Sequence, residues 1–248
     1  MKIIRNIIFL FLVFSCDSEN ANDCFQKAGS IIQQDFVVGS FDKILVNRDI
    51  ELVVKDGLQQ RVIVETGSNL LNDVSVEVID GQLILKDNNN CNFVRDYGVT
   101  KVFVTSPNIK EIRSSTQYDI RSDGVLSFNS LTILSEDFGT PDTFTNANFF
   151  FEIDCDSFNV TFNNLSNCFI SGKTENLNVG FFAGTSRFEG EDLIAQNVTI
   201  SHRSSNDIIV NPQQYLKGVV RGTGDLISVY TPPIIEVEEL YTGRLIFK

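Results

Sequence analysis

Beyond residue 35 the chain alternates apolar and polar residues almost without interruption, and in its second half the pattern recurs about every twenty residues. Both features restrict the fold. Alternation with period two puts every second side chain on one face of a strand, whereas a helix needs an apolar stripe at 3.6. Lys43-Ile44-Leu45-Val46, Ile50-Glu51-Leu52-Val53-Val54 and Arg61-Val62-Ile63-Val64-Glu65 are β-branched runs separated by turn residues. Asp56-Gly57 stands between the second and third and predicts a hairpin. Asp80-Gly81 predicts a tighter one between Val74–Ile79 and Gln82–Lys86, because Asp-Gly supplies the positive φ angles of a type I′ turn. No segment beyond residue 15 carries a sustained helical stripe, so the chain reads as all-β.

In the second half the strands shorten and are flanked by Asn, Ser, Asp and Gly. Asn-Val recurs at 159, 178 and 197, two steps of nineteen residues. A second set, beginning at Cys168, Ser186 and Asn206, runs out of phase with the first. Two short strands per repeat of about twenty residues are the pattern of a β-solenoid, in which like residues stack over like and each coil buries the apolar face of the last. The fold expected is a right-handed, single-stranded β-helix over residues 35–248. Its parts would be longer strands and hairpins over 35–110, short-strand coils over 111–230 and a capping hairpin over 231–248, set off by Pro232-Pro233. The chain has 21 Phe and no Trp. Phe149-Phe150-Phe151 and Phe181-Phe182 read as core filling, since offset aromatic stacking adds to burial.

The first residues say where such a body would live. Lys2 and Arg5 precede an apolar run from Ile7 to Phe14, then Ser15 and Cys16. A basic head, a short apolar centre and a small residue form a secretory signal, too short to span about 30 Å of hydrocarbon. Val13-Phe14-Ser15-Cys16 is similar to a bacterial lipobox. Residues 1–15 would therefore be removed and Cys16 acylated, with residues 16–34 a lipidated tether. The location expected is the outer membrane, facing the periplasm or the cell surface, with the lipid as the membrane partner. Removing residues 1–15 takes away Lys2 and Arg5 and no acid, so the net charge moves from −12 to −14. A surface of that sign repels nucleic acid.

Four cysteines follow Cys16: Cys24, Cys91, Cys155 and Cys168. An even count in an exported chain points to two disulfides, with three connectivities open. The favoured pairs are Cys24–Cys91, tying the N-terminal segment to the body, and Cys155–Cys168, joining neighbouring strands. No Cys-x-x-Cys occurs, which argues against zinc or thioredoxin chemistry.

The order of these parts resembles the head GIN domain family, auto-transporter adhesin-like lipoproteins common in Bacteroidetes. The residues that carry the likeness are an opening strand from Phe41 to Ile50, the segment Val102-Phe103-Val104-Thr105-Ser106-Pro107-Asn108-Ile109 and the coils after Leu131. It covers roughly residues 35–230, and Gly222-Thr223-Gly224-Asp225 matches part of the turn-rich ending. The resemblance implies adhesion and carries over no functional residues.

Catalytic signals are sparse. Acids cluster at Asp154 and Asp156, at Glu136 and Asp137, and at Glu189, Glu191 and Asp192. Asp154 and Asp156 share one face of a strand, the best spacing for a cation, yet solvated acids on an acidic protein explain them as well. Lys173 and Arg187 are the nearest bases, and nothing in the sequence brings either to Asp154. His202 is the sole histidine, lacks a Gly-x-Ser-x-Gly elbow before it and reads as a surface residue. Gly222-Thr223-Gly224 is a tight corner rather than a phosphate loop. The five tyrosines are scattered. No motif asks for a cofactor. The expectation is a lipid-anchored cell-envelope binding or structural module, adhesin-like, with a protein or glycan ligand and no catalytic site. The alternative is a β-helix carbohydrate-active enzyme, or a glycan-binding protein that uses the clustered acids.

Overall fold

The computed structural model describes residues 23–89 and 91–248. The signal segment and Cys16 lie outside the described residues.

Among the described residues there is no α-helix, and seventeen strands carry the fold. In chain order they are β1 (Ile31–Phe36), β2 (Lys43–Val46), β3 (Ile50–Asp56), β4 (Arg61–Gly67), β5 (Val74–Ile79), β6 (Gln82–Asp87), β7 (Thr100–Ser106), β8 (Glu111–Ser114) and β9 (Ile120–Leu126). Then follow β10 (Ser130–Ser135), β11 (Asn148–Phe162), β12 (Asn167–Phe181), β13 (Arg187–His202), β14 (Ile208–Val220), β15 (Leu226–Ser228), β16 (Ile234–Glu239) and β17 (Leu245–Phe247). Hydrogen bonds join them in one network that runs as two rows. One row is β1-β4-β7-β3-β9-β11-β12-β13-β14-β15-β17. The other is β5-β6-β2-β8-β10-β11-β12-β13-β14-β16. Strands β11 to β14 belong to both, because each turns the corner between rows without a break. The core lies between the rows.

Pairing is antiparallel only at the start of each row, in β1–β4, β4–β7 and β5–β6. All later neighbours are parallel. A parallel neighbour needs a long return path, and here the return path is the other row. The step between stacked residues is nineteen from β11 to β12 and from β14 to β16. From β12 to β13 it is twenty, then twenty-one.

Alternation decides which side chains face in. Phe149, Phe151 and Ile153 of β11 are buried, the chain turns, and Phe158, Val160 and Phe162 are buried after it. Phe162 lies on Phe181, its register partner in β12, with ring centroids 5.6 Å apart, and meets Phe149 of its own strand across the core at 5.2 Å. Outside, Asn178 donates to Asn159 at 2.8 Å and Asn167 to Asn148 at 3.0 Å, so the turn-prone residues cross-link successive coils. Gly172 sits at a corner with φ of +108°, where a Cβ would come within 2.0 Å of the Ile153 carbonyl oxygen. The close approach of coils there requires glycine.

The Asp80-Gly81 hairpin forms as expected, with φ of 50° and 76° at its two turn residues and β5 antiparallel to β6. The hairpin expected at Asp56-Gly57 does not. Both edges of β3 are taken by parallel partners, β7 and β9, so β4 crosses over and pairs with the far edge of β7. The capping hairpin over 231–248 is absent too. β16 continues one row and β17 the other, each parallel to the coil before it. The tether is shorter than residues 16–34, since β1 is paired with β4 and Gln26 is buried. The nineteen-residue rhythm holds from Asn159 to Asn178, but Asn197 stacks on Asn176, two residues off. Likewise Cys168 stacks on Phe188 and Phe188 on Ile208, steps of twenty rather than eighteen and twenty.

Cys24 and Cys91 form a disulfide. Cys155 and Cys168 are free and buried, against the expected second bridge. The neighbour of Cys155 on β12 is Thr174, six residues from Cys168 and so roughly 20 Å along an extended strand. Burial pushes the Cys155 thiol up to about 11 and raises that of Cys168 further. His202, expected at the surface, is also fully buried, its ring edge-on to Phe181 at 6.2 Å. Burial holds its pKa below the ordinary value.

Three outcomes follow from these groups. The disulfide closes a 67-residue separation, so Cys24→Ser with Cys91→Ser lowers stability by up to about 4 kcal/mol in denaturant unfolding. In the same assay Cys155 and Cys168 stay unreactive toward a thiol reagent at neutral pH until the chain unfolds. The unfolded chain takes up a proton on His202 near pH 6.5 while the folded chain resists it. The stability this group contributes is therefore present above about pH 6.5 and declines as pH falls below it. Melting temperature should drop from pH 7 toward pH 5, and His202→Phe should flatten that part of the profile.

Candidate functional site

The regular register of the first row breaks on both sides of β11 and β12. The step from Arg121 to Val125 in β9 is matched by the step from Phe150 to Glu152 in β11, leaving two surplus residues in β9. The step from Glu189 to Asp192 in β13 is matched by Phe169 to Ser171 in β12, leaving one. Against β14 the excess grows, with Glu189 to Ile194 facing Ile209 to Asn211. A packed core has no room for surplus backbone, so the extra residues bulge outward. Gly124, with φ of +82°, turns the first bulge. Bulges re-aim side chains and gather at functional sites.

Between the two bulges lies an open groove of about 490 Å³. Its floor carries Phe150 and Phe169, stacked with centroids 4.9 Å apart and planes 8° from parallel. The Arg121 guanidinium covers the other side of Phe150 at 4.4 Å. Ser122, Glu152 and Ser171 line the groove, and Glu189, Glu191 and Asp192 form its far rim. The Glu152 amide donates to the Ser122 hydroxyl at 3.0 Å, tying the first bulge to β11. Arg187 pairs with Glu189, and Arg121 with Asp119 and Glu51. Among the described residues no base pairs with Glu152, Glu191 or Asp192. The groove therefore offers apolar ring surface beside unneutralised carboxylates. It can accept hydrogen bonds from hydroxyl or ammonium groups and repels anions.

The structure sorts the residues singled out in the sequence. Glu189, Glu191 and Asp192 come together, joined by Glu152. Asp154 and Asp156 do not enter the groove: Asp154 pairs with Lys173 at 3.1 Å at an exposed corner, a partner the sequence had not placed there. Glu136 is buried and paired with Arg113, and Asp137 accepts from Asn163, so both hold loops together. Among the described residues no group of three or more His, Cys, Asp or Glu is arranged to hold a metal. Gly222 packs where a Cβ would meet the Ser204 carbonyl oxygen at 2.1 Å, which is the tight corner expected. Tyr97 lines a second cavity of about 330 Å³ with Asp49, Asp87 and Asn89, and burial raises Asp49 above the usual carboxylate range. Phe150 and Phe182 are the two phenylalanines read as core filling that face outward, Phe182 being exposed. With Phe149 and Phe151 pointing in, alternation puts Phe150 outside, and that signal was available in the Phe triplet itself.

Fold and groove define an all-β protein of stacked parallel coils with an acid-rimmed groove open on one flank. The family model described as "Putative auto-transporter adhesin, head GIN domain" matches residues 40–232, and the chain belongs to that family. Comparison with curated proteins gives no match. Among solved structures, a putative adhesin from Bacteroides fragilis superposes with a TM-score of 0.79 at 19% identity, covering 90% of this chain and 99% of that one. A putative adhesin from Parabacteroides merdae gives 0.60 at 13%, covering 89% and 97%. A putative lipid binding protein from Parabacteroides distasonis gives 0.58 at 16%, covering 88% and 97%. At these identities the likeness is one of fold.

Because Asp154 is held by an exposed ion pair, Asp154→Asn with Asp156→Asn should change stability by less than about 1 kcal/mol. The melting temperature should be the same in calcium as in chelator, as read by calorimetry.

Proposed function

We propose that this chain is a lipid-anchored module of the cell envelope that binds glycans in the groove between the two bulges and carries out no catalysis. In this reading residues 1–15 are a signal peptide, Cys16 is acylated, and the chain sits at the outer membrane. The stack is a right-handed β-solenoid, the hand that parallel strand–crossover–strand units favour. The lipobox-like Val13-Phe14-Ser15-Cys16 supports the anchor, and membership in an adhesin-like family supports a display role.

The observation that carries the binding reading is the groove itself: stacked Phe150 and Phe169 beside Glu152, Glu191 and Asp192. Sugars combine apolar C–H faces with vicinal hydroxyls. Exposed ring surface answers the first, and carboxylates, which accept in pairs, answer the second. A negative rim selects neutral or amino-bearing glycans over sulphated and phosphorylated ones.

A glycan array probed with the full chain tests this. Neutral or amino-bearing glycans should be retained and polyanionic ones should not. Phe169→Ala, and separately Glu191→Gln with Asp192→Asn, should each weaken retention at least tenfold, about 1.4 kcal/mol. No retention, or retention that both variants leave unchanged, overturns the reading. Shortened glycan products would replace it with the enzymatic alternative.

A further inference from the structure

The segment that opens the folded body holds apolar side chains outward rather than inward. Cys24, in a short 3-10 turn over Asp23–Phe25, is bonded to Cys91, and the Phe93 amide donates to the Cys24 carbonyl at 2.9 Å. Phe25 and Phe93 meet with ring centroids 5.7 Å apart. Yet Phe25 is 53% exposed, Phe93 73%, Val94 50% and Tyr97 77%. The patch is held firmly: Arg95 donates to the Gln26 carbonyl, and Gln26 donates to the Asn69 carbonyl just past β4. A disulfide-pinned knot that presents four large side chains to solvent is an interaction surface by its composition.

Its place in the chain says what covers it. Phe25 lies nine residues after Cys16, a span of at most about 32 Å when fully extended. An acyl anchor on Cys16 therefore keeps this patch within one short tether of the bilayer. The charge around it also differs from the rest of the molecule. Residues 23–30 and 91–99 contain Lys27 and Arg95 against Asp23 and Asp96, an even balance in a strongly acidic chain. Phe and Tyr beside basic residues have the composition of a membrane–water interface.

We propose that this knot is a second membrane contact, with Phe25, Phe93, Val94 and Tyr97 seated at the headgroup level of the leaflet that holds the lipid on Cys16. The proposal rests on the reading that Cys16 is acylated. It gives the stack a fixed stance, since a lipid tether alone leaves orientation free and two contacts do not. β1 and β4 open the first row beside the knot, and the groove spans β9 to β13, four to seven strand spacings from β1. At about 4.8 Å per spacing those strands lie roughly 20–35 Å from β1 along the stack.

The chain has no Trp, so Phe93→Trp introduces a single indole reporter. The full chain is reconstituted in vesicles of phosphatidylethanolamine and phosphatidylglycerol, part of the lipid brominated along its acyl chains. The indole emission should shift to the blue and be quenched by the brominated lipid. Leu58→Trp serves as the control: Leu58 is 96% exposed beyond the other end of β4, roughly 20 Å away along the strand, and its indole should keep the emission of water. Tyr97→Trp is the second reporter should Phe93→Trp not fold. Emission from both knot variants that is as unquenched as the control, in a chain whose intact mass carries acyl groups, overturns the proposal. A mass without acyl groups removes the anchoring reading instead. Quenching of that unacylated chain by added vesicles then decides the patch by itself, in either direction.

Discussion

Parallel stacking at a step of about twenty residues is the constraint on which the rest of this structure depends. An inward side chain is covered by the equivalent side chain of the next coil, so burial is shared between neighbours rather than complete within any one. Phe181 illustrates it, stacked on Phe162 of the coil before with ring centroids 5.6 Å apart and followed in register by His202. Each such aromatic contact adds about 0.5–1.5 kcal/mol beyond burial. On the outside the same register lines up Asn159 with Asn178 and Asn176 with Asn197, turning residues that weaken isolated strands into hydrogen-bonded ladders. The register also explains the groove. A coil with surplus residues cannot absorb them inside, and where β9 and β13 exceed their neighbours the backbone moves outward on the same row, leaving β11 and β12 as a floor between two walls.

Much of this was legible in the sequence, for reasons that can be stated. Alternation fixed the strands and their faces, because a one-residue slip would turn every apolar side chain to water. The Asp80-Gly81 turn was readable since its φ angles are local. What escaped depended on pairing choices far along the chain. Asp56-Gly57 looks like a hairpin locally, yet β3 is taken on both edges by strands that come fifty and sixty-eight residues later. Asn197 keeps the spacing of Asn159 and Asn178 in the sequence and loses it in space, because the step from β12 to β13 begins at twenty and the bulge in β13 adds one more. Cys155 and Cys168 are close along the chain but occupy different positions around the coil. His202 reads as a surface residue in sequence, while its register places it next in the ladder after Phe162 and Phe181. The acids at the groove were noticed as a cluster, but Glu152 joins them only through the stacking of β11 between β9 and β12.

The two surfaces of the molecule differ in kind. The groove gathers carboxylates over an aromatic floor. The disulfide knot gathers aromatics where Lys27 and Arg95 are balanced by Asp23 and Asp96. On a chain whose charge is strongly negative, the first is the groove proposed to take a hydroxyl-rich ligand and the second the patch proposed to meet the bilayer. The last coil ends with β16 and β17 along the open side, where Ile235 and Phe247 are half-exposed for want of a further coil above them.

Backbone amide hydrogen exchange tests the stacking most directly. If burial is shared between coils, β11 to β13, which have a neighbour on each side in both rows, exchange slowest, and protection falls toward β16 and β17 at the open end. The account predicts that gradient along the stack. Fast exchange across Asn167–Phe181, or equal protection in β12 and β16, would contradict it.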